Sequence, residues 1–288
     1  MYPLEDVNKL GTIMEIEKLV LEATKGNKTA LEGVAVAIQD NIYYLALRML
    51  VNPDDAKEAT QEILIKIITN LSSFRFESQF ETWVYRLAAN YLITEKRILN
   101  RDPGLTFEMY KLDLESDLQD PGELQNNSEY QVLLNELRIS CTMAMLLCLN
   151  PQHRMAYVLG DILELDHAEA SEVLSISKDN FRKQLSRARA KVVEFTSASC
   201  RLVCNHAKCS CETKLTGAVK RKRVNSEHIY FSASTQYTYS EVKESLLETQ
   251  QGLKSLVLHK SINNYKCPVE LSTTIERLVA DGIKTRNI

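Results

Sequence analysis

PDDAKEATQEILIKIITNLSSFRFESQFETWVYRLAANYLITEKR, residues 53–97, sets two amphipathic patterns end to end with a knot of aromatics between them. From Asp54 onward, Ala59, Ile63 and Ile67 recur at helical spacing and point to a core, while Asp55, Glu58, Glu62 and Lys66 line another face. A polar, largely acidic stripe on an anchored helix can dock a partner by charge complementarity. From the residues alone, a solvated helix face is the simpler account. The second pattern buries Phe80, Val84, Leu87 and Tyr91 on one stripe and sets Trp83, Arg86, Asn90 and Arg97 along a flank. An aromatic beside cations and an amide can stack an unpaired base, hold its phosphate and read its edge, with stacking worth ~1–3 kcal/mol per base.

The rest of the chain extends this helical reading. Its 288 residues allow two or three small domains, each with its own core. Only nine Gly and six Pro interrupt long Leu-, Ile-, Ala-, Glu- and Lys-rich stretches, which favours an all-α fold. The organisation read from composition is a helical block to residue 100, a linker over 101–128, a second helical block over 129–198 and an extension over 199–288. The linker assignment rests on Asp102-Pro103-Gly104, Asp120-Pro121-Gly122 and the acidic residues between them. The longest apolar run, around Thr142 to Leu149, falls far short of the ~20 residues that span a bilayer. The N-terminus lacks the pattern of a secretory signal, so no membrane is expected and the cytosol is the expected compartment. A net charge of -3 confines any nucleic-acid surface to a local patch. Nothing reads as a nucleophile–base pair, a Gly-rich phosphate loop or a paired carboxylate site, so no enzyme is expected.

In the second block, Asp166 followed by Glu169 is a helix-start signature, and the helix carrying Ala170, Val173 and Leu174 stops at Ser175-Ile176-Ser177. Ser177 caps a further helix with Phe181, Leu185, Ala188 and Val192 on its buried stripe. Asp179, Lys183, Ser186 and Ala190 fall opposite that stripe, flanked by Arg182 and Arg187. Two short helices joined by a tight turn, the second basic on its open face, suit insertion into a major groove. A solvated basic helix in an ordinary bundle fits the same residues equally well.

The segment LNPQHRMAYVLGDILELDHAEASEVLSISKDNFRKQLSRARAKV, residues 149–192, resembles the C-terminal promoter-binding domain of extracytoplasmic-function (ECF) sigma factors of bacterial RNA polymerase. Residues 53–97 resemble the core-docking and melting segment of the same family's N-terminal domain, and this match is the more specific one. The resemblance implies a factor that binds core polymerase and directs promoter recognition, melting and initiation. It assigns minus-thirty-five contacts to Arg182, Lys183, Gln184, Ser186 and Arg187, of which Gln184 projects nearest the buried side. It assigns the minus-ten surface and a flipped base to Phe76, Glu77 and Ser78 with Trp83, Arg86, Asn90 and Arg97. It assigns Asp55, Glu58, Gln61, Glu62 and Lys66 to the β′ clamp helices of polymerase, and it implies an anti-sigma factor as a further partner. Ser175 stands where the family usually has Gly. A helix-turn-helix repressor or activator is the other class considered, and it leaves the 53–97 block without a purpose.

Seven cysteines include Cys200, Cys204, Cys209 and Cys211, which with His206 could supply soft ligands to Zn or Cu(I), although Cys209 and Cys211 are closer than usual zinc spacing. A redox-sensitive thiol pair or reduced thiols at a domain edge fit as well. No cofactor is required by this reading. Some ECF groups carry a C-terminal Cys-rich segment with a Cys-x-Cys pair.

Overall fold

The computed structural model describes residues 15–95, 104–126, 128–232, 237–262 and 265–268, together with Thr273 and Arg277. Among these residues the fold is helical, with no strand beyond two isolated β-bridges, Cys200–Cys209 and Asn225–His228. Helix α1 covers 15–24, followed by α2 (Lys28–Leu50), α3 (Pro53–Asn70) and α4 (Phe80–Thr94). These four form the first lobe. Pro53 at the first turn and Asn52, whose Oδ1 accepts from the Asp54 and Asp55 N–H groups at 2.9 and 3.1 Å, fix where α3 begins. Ala59, Ile63 and Ile67 are buried as expected, and complete burial of an Ile is worth ~1.5–3 kcal/mol. That packing, more than helix propensity, settles the rotation of α3.

The stretch read as a linker is not structureless. Residues Phe107–Glu115 form α5, capped by Thr106, and bury Tyr110 and Leu114 against the second lobe. The Tyr110 hydroxyl donates to the Cys141 carbonyl at 2.8 Å. Phe107, Tyr110 and Leu114 lie at helical spacing, but the acidic residues and Pro-Gly pairs around them mask the stripe.

The second lobe comprises α6 (Tyr130–Ala144), α7 (Pro151–Tyr157), α8 (His167–Val173) and α9 (Lys178–Ser199). A π-turn over Val158–Ile162 widens the end of α7. By length and composition, Tyr130–Cys148 would be long enough to cross a membrane, which the sequence reading had not credited. Most of it is buried, and α6 packs much of its apolar surface against the extension that follows α9. Arg154 on α7 ties the two lobes together: its buried guanidinium donates to the carbonyls of Leu146, Leu147 and Leu149 and, across the seam, to that of Met49 at 2.7 Å. One continuous apolar core therefore runs through both lobes.

The extension contributes α10 (Cys211–Lys220), α11 (Tyr239–Glu248) and α12 (Lys254–Lys260). Leu215, Ala218, Val224 and Tyr239 cover Leu133, Leu134 and Leu137 of α6. A smaller cluster joins Val203, Val242, Leu246 and Leu258.

Candidate nucleic-acid interface

The helix-turn-helix forms where the sequence placed it. Asp166 caps α8 by accepting from the Ala168 and Glu169 N–H groups, and Ser177 caps α9 through the Asn180 N–H at 3.2 Å. Glu169 does not close the expected box; it reaches Thr82 on α4 instead. Ser175 takes the left-handed conformation with φ 54°, the position that suits glycine, and a serine accepts it at some strain. Phe181, Leu185, Ala188 and Val192 are buried. Arg182, Lys183, Ser186 and Arg187 are exposed along α9, and Gln184 is half-buried, as its projection implied. Arg182 sits 3.7 Å from Asp179 and donates to His167, contacts that orient it without covering it. Arg189 is committed elsewhere: it forms a forked ion pair with the buried Asp161 and so belongs to the scaffold.

The melting flank is arranged differently. Phe80, Val84 and Tyr91 are buried, and Leu87 is half-buried. Trp83 is half-buried, stacked on Phe80 with centroids 5.9 Å apart and 5.5 Å from Phe74. Phe76 is the exposed aromatic of this cluster, on a loop residue with φ 57° and 4.7 Å from Phe74. Glu77 beside it is exposed and Ser78 half-buried. A bulky residue held in the left-handed region of a turn is a strained conformation of the kind that concentrates at functional sites. Asn90 is exposed, and Arg97 lies outside the described residues. Arg86 is not free: its Nη2 donates to the Glu172 carboxylate of α8 at 2.7 Å and its Nε to the Glu172 carbonyl at 3.3 Å. Thr82 is buried beside Glu169 of the same helix. At Arg86 the flank read as a single-strand surface thus meets the helix-turn-helix of the same chain.

On α3, Asp55, Glu58, Gln61 and Glu62 are half-buried. Lys66 is exposed and lies 5.6 Å from the centroid of the Tyr91 ring.

The cysteines regroup. Cys200, Cys209 and Cys211 line a small cavity with Cys141 of α6, Arg138 and Leu258, and Cys204 is not among the lining residues. Cys141 is the member that sequence spacing could not supply, since it lies far away in the chain. Burial pushes the Cys200 and Cys209 thiols up to about 12, with the neighbouring thiols adding to the effect, and Cys211 is raised further for the same reasons. Such thiols stay protonated at neutral pH and are poor nucleophiles. Among the described residues no three His, Cys, Asp or Glu side chains converge as a metal ion requires.

Comparison with known proteins identifies the family of both lobes. The Sigma-70 region 2 family model matches residues 36–101, and the Sigma-70, region 4 model matches residues 139–192. The ECF RNA polymerase sigma factor SigW of Bacillus subtilis is 30% identical over 180 residues, covering 61% of this chain and 94% of that protein. The ECF RNA polymerase sigma-E factor of Escherichia coli K12 is 28% identical over 180 residues, covering 60% and 90%. Among solved structures, CnrH in complex with the cytosolic domain of CnrY aligns with a TM-score of 0.44 and 19% identity, covering 62% of this chain and 96% of that one. Residues 193–288 lie beyond both family models.

Proposed function

The chain belongs to the ECF sigma factors of the sigma-70 family, and from that premise we propose how its surfaces divide the work of transcription initiation. It acts with core RNA polymerase to recognise and open promoters, and its part is binding rather than chemistry of its own. The observation that carries the division of labour is the contrast between two basic surfaces. The face of α9 is open, whereas the flank of α4 is held by Glu172.

The exposed residues of α9, led by Arg182 and Arg187, read the upstream element in the major groove. Phe76, on its exposed loop, receives an unstacked base of the non-template strand, and Arg86 and Asn90 hold the strand beside it. The polar face of α3 docks on the β′ clamp helices. Work with polymerase places the protein in the cytosol, and an anti-sigma factor is a further partner. The cysteines around Cys141 act as packed thiols of the seam between α6 and the extension. Titration with Zn or Cu(I) would overturn that last assignment if the wild-type chain bound an ion that a Cys209→Ser, Cys211→Ser variant did not.

The test of the main reading is reconstitution. The purified chain should bind core polymerase and start transcription at a cognate promoter, and alone it should hold DNA weakly, given its net charge of -3. Tight operator binding without any polymerase association would instead support a conventional helix-turn-helix regulator.

A further inference from the structure

The contacts of residues 254–262 carry a second inference, which rests on the sigma-factor reading. We propose that this segment is an intramolecular latch: seated in the seam between α2 and the second lobe, it holds the chain closed with Arg86 engaged by Glu172, and it must leave before the first lobe can take up melted promoter.

Three observations support this. The first is placement. On the α2 side, Arg48 Nη2 donates to the carbonyls of His259 and Ile262 at 3.2 and 2.8 Å, and the Tyr44 hydroxyl reaches Ile262 as well. On the other side, Ser255 lies 2.5 Å from Thr196 of α9, Arg138 of α6 donates to Ser261 at 2.8 Å, and Lys260 pairs with Glu164. A segment bonded to both lobes adds to the tie that Arg154 makes between them. The second is what closure covers, since Arg86 cannot serve Glu172 and a DNA phosphate together.

The third is the chemistry of the seam. Arg48 is completely buried, and its Nε and Nη1 find no hydrogen-bond partner among the described residues. One nitrogen of Arg138 and both ring nitrogens of His259 are in the same condition. No carboxylate pairs with Arg48 among the described residues; what it meets are carbonyls and the hydroxyl and ring of Tyr44, whose centroid lies 4.9 Å from the guanidinium. Burying a cation so sparsely compensated is costly, and opening the seam returns it to water. A permanent scaffold gains nothing from that arrangement. A two-state element does, because it keeps closed and open forms near each other in free energy.

The experiment is hydrogen exchange on the full-length wild-type protein, free and in complex with core polymerase and promoter DNA. The amides of 254–262 should be protected in the free chain and should exchange at least tenfold faster in the promoter complex. Unchanged protection there overturns the latch and leaves the sigma reading intact, whereas failure of the chain to join polymerase at all overturns both. Ser255→Arg provides the second arm, because an arginine cannot fit against Thr196. The variant should keep its helical circular dichroism, should scatter as a larger particle than the ~19 Å radius of gyration of a compact chain this long, and should bind polymerase about tenfold more tightly. That gain reads the closed-to-open ratio directly. An expanded, helical variant that binds no better overturns the inhibitory role; if the variant does not fold, exchange in the wild type decides.

Discussion

Acidification should weaken the protein through His259, and the size of the effect follows from where the ring sits. The side chain is fully buried, edge-on to Tyr157 with centroids 5.4 Å apart, and its neighbouring charge is the cationic Arg48. Asp161, which also faces Tyr157, is already paired with Arg189. Burial, reinforced by Arg48, lowers the His259 pKa from 6.5 to about 3. Between those two pH values the unfolded chain binds a proton that the folded chain refuses, so stability is complete above pH 6.5 and is lost as pH falls toward 3. At about 1.36 kcal/mol per pH unit, the loss from this one ring is ~1.4 kcal/mol at pH 5.5 and ~2 kcal/mol at pH 5.0. In urea titrations that corresponds to a midpoint shift of roughly 0.7 M for an m-value near 3 kcal/mol/M. The comparison is with His259→Leu, which fills a similar volume and cannot titrate. Wild type should lose ~2 kcal/mol more than the variant between pH 7.5 and 5.0. Equal losses in the two proteins would refute the reasoning, because the pH dependence would then arise elsewhere.

Other expectations follow from single contacts. Arg154→Met removes the guanidinium donor from four backbone carbonyls, of which that of Leu146 keeps the Leu149 N–H, and should cost about 3–5 kcal/mol in chemical denaturation, at the top of the range for one substitution. Gly160→Ala would set a methyl 2.8 Å from the Leu185 side chain and 3.1 Å from Phe181, so a loss of ~1–3 kcal/mol is expected by the same assay. Arg182→Ala and Arg187→Ala should each weaken upstream-element recognition by about 1–3 kcal/mol in mobility-shift titrations of the polymerase complex; an equal loss on scrambled upstream DNA would make them phosphate contacts. Phe76→Ala should change stability by no more than ~0.5 kcal/mol, spare closed-complex formation and reduce permanganate reactivity of promoter thymines. Trp83→Ala, by contrast, should also destabilise the fold, since its ring completes the stack on Phe80.

Local periodicity made the helices legible. The buried stripes of α3, α4 and α9 emerged from 3.6-residue spacing, and the caps at Asp166 and Ser177 from residue type and position, whereas the Asn52 cap came only with the structure. Helix α5 was hidden because its apolar stripe is short and sits among acidic and Pro-Gly residues. At the site, exposure along α9 was readable, and so was the doubt over Gln184. The engagement of Arg86 was not, because Glu172 lies 86 residues away and no local pattern announces a partner at that distance. The cysteines show the same limit: spacing gathered Cys204 with its neighbours, but packing replaced it with Cys141.

The carbonyls that receive Arg48 belong to His259 and Ile262, the latter 214 residues downstream. A ribosome adding ~5–20 residues per second makes Arg48 roughly ten to forty seconds before its last acceptor exists. Through that interval the guanidinium has only water and Tyr44 to bond, and the two lobes, already joined by Arg154 and their shared core, lack the segment that completes the seam. The order of manufacture therefore runs from exposed to sheltered. Each new molecule passes once through a state in which Arg48 is still hydrated, and a transcript cut short before codon 254 would yield chains that never leave it.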